Sequence, residues 1–102
     1  MTVYEKLVRD RIPDIIEANG EKPLVRILSG EEYIRALEQK LDEEAGEYHQ
    51  AKNAEELADI LEVVFALSDA IGYTREELME IYQKKHDSRG GFSKRYFLIS
   101  KE

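Results

Sequence analysis

Apolar residues recur at helical spacing through the middle of the chain and predict two long helices. The first runs from Glu31 to about Ala51, where apolar positions step by three or four residues. The second runs from Ala54 to Ile71 and is apolar over so wide a surface that it needs cover on most sides. Asn53 can cap the second helix. Because only Lys52 and Asn53 connect the two helices, we expect them to pack antiparallel.

Two further helices are predicted on either side of this pair. Pro13 suits the first turn of a short helix, which ends at Gly20. Thr74 and Glu77 have the spacing of a capping box, in which each side chain bonds the other residue's backbone. The helix that they begin is expected to end near His86.

Two segments alternate in the manner of β-strands, Lys22–Leu28 and Phe92–Ile99. Two strands in an otherwise helical chain are expected to pair with each other, which would bring the ends of the chain together. The predicted fold is therefore mainly α. It is an antiparallel helix bundle with a small two-stranded antiparallel sheet, in one domain over residues 1–102.

Composition narrows the classes of function. The formal net charge of −7 argues against a general nucleic-acid binder, because phosphate neutralisation supplies most non-specific affinity. The chain has no cysteine, so disulfides and thiolate chemistry are excluded. No signal-peptide core and no membrane-spanning run are present, so we expect no membrane partner and a cytoplasmic location.

The candidate chemistry lies in two pairs of carboxylates on the long helices. Glu44 and Glu47 are three residues apart on the first helix, and Glu56 and Asp59 are three apart on the second. Positions three apart share a helix face, so antiparallel packing can bring all four together. At about 100° per residue, Glu43 points roughly opposite the apolar positions of the first long helix and away from Glu44 and Glu47. A fold keeps such a cluster most readily if a hard cation neutralises it, and Mg²⁺ is the first candidate. The alternative is that each pair is part of a solvated helix surface.

Cationic residues lie near both ends of the chain. Lys6 and Arg9 lie near the start, before the predicted short helix, and Lys85, Arg89 and Lys94 lie near the end. If the two strands pair, both groups can neutralise the phosphates of one substrate. The alternative is a solvated basic surface. With Mg²⁺ bound at the carboxylates, the chemistry would be hydrolysis of a phosphoanhydride, in which a carboxylate orients or deprotonates water.

These motifs resemble those of a known superfamily over nearly the whole chain. The carboxylates in Glu43–Glu47 and Glu56–Asp59 are similar to the metal-binding signature of the MazG-like all-α nucleoside triphosphate pyrophosphohydrolases. The segments Lys6–Pro13 and Arg89–Arg95 resemble a small-protein branch described as phosphoribosyl-ATP pyrophosphohydrolase-like. The linker between the two acidic pairs is shorter here than is usual in that signature.

The resemblance implies Mg²⁺-dependent cleavage of a nucleoside triphosphate to the monophosphate and pyrophosphate, often to remove aberrant nucleotides. Carried over by position, Glu44, Glu47, Glu56 and Asp59 are the metal ligands, with Mn²⁺ as a substitute ion. Glu44 and Glu47 are the expected catalytic residues. The resemblance also implies a homodimer or homotetramer that completes the bundle.

Two alternatives remain open from the sequence. One is phosphoribosyl-ATP hydrolysis in histidine biosynthesis, which uses the same chemistry on another substrate. The other is a non-catalytic helical module that binds a nucleotide or a protein, since a shared fold does not fix function.

Overall fold

The computed structural model describes residues 2–102, and all of its regular secondary structure over that range is helical. The helices are α1 (Ile12–Ala18), α2 (Gly30–Ala51), α3 (Ala54–Ala70) and α4 (Arg75–Arg89). The prediction of a mainly α fold is therefore confirmed. The predicted bounds of α2 and α3 hold to within one residue, whereas α4 continues through the turn that was expected after His86.

The chain reverses direction between α2 and α3 at a two-residue connection. Lys52 adopts a left-handed backbone, with φ of 51°, and its N–H donates to the carbonyl of Tyr48 at 2.7 Å. The side chain of Asn53 accepts the backbone N–H of Glu56 at 3.0 Å, which is the predicted helix cap. The end of α2 and the start of α3 are thereby fixed beside each other.

Helix α4 packs against α3 and does not contact α2. The predicted capping box is present at its start. The Thr74 hydroxyl accepts the N–H of Glu77 at 3.1 Å, and the Glu77 carboxylate accepts the N–H of Thr74 at 2.9 Å. The buried Ser68 donates its hydroxyl to the carbonyl of Tyr73 at 3.1 Å and so ties the end of α3 to this turn.

The predicted two-stranded sheet is wrong. Within residues 2–102 no strand is formed, and the segments at 22–28 and 92–99 are irregular. Alternation marks a segment that can pair, but a strand also needs a partner edge and a covered apolar face. Leu24 and Ile27 in the first segment, and Phe97 and Ile99 in the second, are almost wholly exposed, so neither condition is met.

No helix among the described residues is both long enough and apolar enough to cross a membrane.

Candidate metal centre

Two helices supply the four carboxylates that the sequence singles out. Glu44 and Glu47 lie near the end of α2, and Glu56 and Asp59 lie in the first turns of α3. The short connection places these two stretches side by side. The cap at Asn53 holds the first turn of α3 in helical geometry, which fixes the direction of Glu56.

The four carboxylates converge as helical phase predicts. One oxygen from each of Glu44, Glu47, Glu56 and Asp59 lies within 4.8 Å of the others, and we call this group the quartet. Glu44 is buried, with 7% of its surface exposed, Glu56 and Asp59 are half-buried, and Glu47 is exposed. Within the quartet, Glu44 is thus the buried carboxylate and Glu47 is the one open to solvent.

The charge of Glu44 is poorly compensated within the protein. Burial raises the pKa of Glu44, and the hydrogen bond and negative charge of Glu47 raise this pKa further. Lys40 acts in the opposite direction, with its Nζ 3.4 Å from Oε1 of Glu44, and does not outweigh them. A cation at the quartet would reverse this balance, because it favours the charged carboxylate.

Two buried oxygens at the quartet lack a hydrogen-bond donor from the described part of the chain. They are Oε2 of Glu44 and Oε2 of Glu56. A buried polar atom without a partner is costly, and a carboxylate oxygen more so than a neutral acceptor. One oxygen comes from each helix, so a ligand between α2 and α3 would satisfy both.

The N-terminal cations reach the quartet region. Nη2 of Arg9 lies 3.1 Å from Oδ1 of Asp59, and Nζ of Lys6 lies 3.4 Å from Oε1 of Glu43. Arg9 and Lys6 precede α1, so the irregular segment before that helix contacts α3 at Asp59 and α2 at Glu43. Both side chains are half-exposed and therefore accessible from solvent.

Lys40 is a cation at this site that was not among the predicted site residues. Its Nζ lies 3.4 Å from both Oε2 of Glu43 and Oε1 of Glu44. The signal was present in the sequence, because Lys40 and Glu44 are four residues apart on one helix face. Glu43 pairs with Lys40 and Lys6 and lies outside the quartet, in agreement with its helical phase.

The structure does not bring the C-terminal cations to the quartet. Between residues 2 and 102 no ion pair joins Lys85, Arg89 or Lys94 to a quartet carboxylate. Helix α4, which carries the first two, contacts only α3, and the Nζ of Lys94 lies 5.9 Å from the ring centroid of Tyr96. The sheet that was expected to join the chain ends is absent. A role for these three residues in binding substrate stays a prediction.

The donor set suits a hard dication. All four side chains are carboxylates, and Mg²⁺ and Mn²⁺ prefer oxygen ligands of this kind more than softer metals do. The unsatisfied oxygens of Glu44 and Glu56 are an observation separate from the clustering, and they point to the same ligand. The exposed Glu47 adds a carboxylate that a water molecule can reach.

Comparison with known proteins adds little to this description. No family model matches the chain, and no solved structure matches it. An uncharacterized protein of Mycolicibacterium smegmatis is 54% identical over 46 residues, which cover 45% of this chain and 47% of that protein. The chain therefore matches about half the length of this relative, and the match assigns no family and no activity.

Proposed function

We propose that this protein is a Mg²⁺-dependent hydrolase of phosphoanhydride bonds that converts a nucleoside triphosphate to the monophosphate and pyrophosphate. The observation that carries the proposal is the quartet together with its two unsatisfied buried oxygens. The resemblance to MazG-like pyrophosphohydrolases supports the substrate class. We place the reaction in the cytoplasm, where nucleoside triphosphates circulate with magnesium.

The four carboxylates divide by exposure. Glu44, Glu56 and Asp59 line the inner part of the quartet and would hold the ion. Glu47 is exposed and can both ligate and orient the attacking water, from which a carboxylate accepts the proton. An ion bound there would neutralise phosphate charge and make water more acidic.

The cations of the N-terminal segment would bind the substrate. Arg9 and Lys6 now neutralise Asp59 and Glu43, at 3.1 and 3.4 Å. Arg9 carries a planar group that can bind two phosphate oxygens at once. If Asp59 held an ion, the guanidinium of Arg9 would be free to contact the phosphates of the substrate.

One observation favours a second candidate, a non-catalytic binding module. Arg9, Lys6 and Lys40 already neutralise part of the acidic charge without an ion. A quartet held only by these ion pairs would be a structural feature. Phosphoribosyl-ATP would be hydrolysed by the same chemistry as a triphosphate, so it belongs in the substrate panel.

The test is pyrophosphate release from a panel of nucleoside triphosphates and phosphoribosyl-ATP, with Mg²⁺ or Mn²⁺. We expect E44Q and D59N to lower the rate on the preferred substrate by at least about a hundredfold, since each removes one ligand charge. Glu62 is an exposed glutamate on α3 outside the quartet, and E62Q is the matched control. No release from any substrate would leave the binding module as the better account. Release unchanged in both ligand variants would remove the quartet from the reaction.

A further inference from the structure

The segment before α1 carries an exposed aromatic ring close to the cations that reach the quartet region. Nζ of Lys6 lies 5.8 Å from the ring centroid of Tyr4, which is within the range of a cation–π contact. The same Nζ lies 3.4 Å from Oε1 of Glu43. Tyr4 is 66% exposed. Its ring therefore lies beside a cation of the proposed site and has surface left for a ligand.

The backbone between Tyr4 and Lys6 is in an uncommon conformation. Glu5 has a φ of 45°, in the left-handed region that residues other than glycine rarely adopt. Such a conformation costs free energy, and it is found preferentially where a protein positions side chains for a ligand. The strained residue here is the one that joins the aromatic ring to the cation.

The other tyrosines of the helices and turns are less suitable for contacting a ligand at the quartet. Tyr73 lines a groove between α3 and α4, and Tyr82 stacks on a histidine of α4. Tyr33 is near the start of α2, about 16 Å along the helix from Glu44. Tyr48 lies one turn beyond Glu44 but is half-buried, and its ring already contacts a histidine ring and a lysine.

The C-terminal segment contains a second ring and cation of the same kind. Nζ of Lys94 lies 5.9 Å from the ring centroid of Tyr96, which is 85% exposed. Within residues 2–102 no ion pair joins Lys94 to α2 or α3. The two pairs therefore share their local chemistry, and they differ in whether the lysine contacts the acidic helices. Tyr96 is thus the matched control for Tyr4.

We propose that Tyr4 stacks on the base of the nucleotide substrate while Lys6 and Arg9 contact its phosphates. The inference rests on the proposed function, since it takes the quartet as the place where the phosphates bind. A nucleoside triphosphate extends away from the ion that holds its phosphates, so its base needs a partner beyond the carboxylates. Every base has a π-face, so Tyr4 would add affinity without selecting one base.

The test is calorimetric binding of two probes in the presence of Mg²⁺. One is the α,β-methylene analogue of adenosine triphosphate, in which the bond to be cleaved is blocked, and the other is inorganic tripolyphosphate, which has no base. Y4A should raise the dissociation constant of the analogue by about tenfold or more, and leave that of tripolyphosphate within about twofold. Y4F keeps the ring and should bind both probes as the wild type does. Y96A should also leave both affinities unchanged.

The folding of the variants is measured on the same samples. Circular dichroism of Y4A should match that of the wild type, because Tyr4 is exposed and outside the helices. If Y4A loses helical signal, Y4L takes its place, since leucine keeps an apolar side chain without a π-face. The same loss of affinity for the analogue is expected.

Several results would overturn the proposal. An unchanged affinity for the analogue in Y4A would mean that Tyr4 does not contact the base. Equal losses for both probes would mean that Tyr4 acts on the phosphates through Lys6. A wild type that binds tripolyphosphate as tightly as the analogue, or binds neither probe, would mean that the protein makes no contact with a base.

Pyrophosphate release separates this inference from the proposed function. If Y4A loses affinity for the analogue and no substrate releases pyrophosphate, the base contact stands and the enzymatic activity does not. If a triphosphate is hydrolysed and Y4A binds the analogue as the wild type does, the activity stands and Tyr4 is removed from the site.

Discussion

The two ends of α3 are built from different chemistry. At its start, a capped first turn presents Glu56 and Asp59 to the end of α2 and to Arg9. At its end, Ser68 and Ile71 lie against the start of α4 in an apolar groove without charged residues. Helix α3 thus carries an acidic surface at its start and an apolar surface at its end. A cation would stabilise the first surface, because its carboxylates repel each other, and apolar cover would stabilise the second, because exposed apolar surface is costly in water.

The same division separates the two groups of cations. Arg9 lies beside the start of α3 and contacts Asp59. Arg89 is the last residue of α4, which packs against α3 and not against α2. Of these two residues, only Arg9 is paired with a quartet carboxylate within residues 2–102. The position of each cation follows from the segment that carries it: Arg9 precedes α1, and Arg89 ends α4.

The largest expected effect is stabilisation by magnesium at the acidic end. Ligand at a hundred times its dissociation constant adds about 2.7 kcal/mol to the free energy of unfolding. For a chain of this size that corresponds to a rise in Tm of about 10 °C or more, measured by thermal unfolding with and without Mg²⁺. E56Q should lose most of the rise, and E55Q, at the neighbouring exposed residue, should keep it. An equal rise in both variants would show that Mg²⁺ binds elsewhere.

The second prediction compares the cations on a nucleotide substrate. R9A should lower kcat/KM for pyrophosphate release by about 10–100-fold, since a charge-assisted contact to phosphate is lost. R89A should stay within about twofold, because Arg89 makes no contact with the quartet in the structure. Calorimetry without substrate should show Mn²⁺ binding more tightly to R9A, because Asp59 is freed. A loss in R89A as large as that in R9A would contradict the division between the two groups.

The third prediction concerns the helix caps at the two ends. N53A and T74A should each lower the free energy of unfolding by about 1 kcal/mol, since each removes a side-chain acceptor from a helix start. Only N53A should also weaken Mg²⁺ binding, because Asn53 holds the turn that carries Glu56. Chemical denaturation and metal titration of both variants measure the two effects. Equal loss of metal affinity in T74A would mean that the two ends are coupled.

The smallest expected effect is a dependence of stability on pH without metal. The folded-state pKa of Glu44 is raised, so the folded protein binds this proton more tightly than the unfolded chain does. The stabilisation is fully present below the ordinary pKa of glutamate and is lost as pH rises through the raised value. At neutral pH, metal-free E44Q should therefore unfold at a higher temperature than the wild type, and the gap should close towards acid pH. A wild type more stable than E44Q at neutral pH would mean that Lys40 outweighs burial.

Much of the acidic end was predictable because its causes are local. Periodicity predicts α2 and α3, and the two-residue connection predicts their antiparallel packing. Helical phase selects the quartet over Glu43 and Glu62. The caps at Asn53 and Thr74 follow from short sequence patterns for the same reason. Lys40 was recoverable from its spacing to Glu44.

The tertiary structure decided what depends on distant contacts. The segments at 22–28 and 92–99 have the alternation of strands, but pairing requires two remote segments to meet, and within residues 2–102 they do not form a sheet. Lys85, Arg89 and Lys94 were expected near the quartet because the sheet would have joined the ends of the chain. Without that sheet, the structure does not bring them to the quartet. The sequence by itself therefore determined which side chains share a helix face. Only the three-dimensional packing determined that Arg9 meets Asp59, and that oxygens of Glu44 and Glu56 are buried without a donor from residues 2–102, because burial is a property of neighbouring helices.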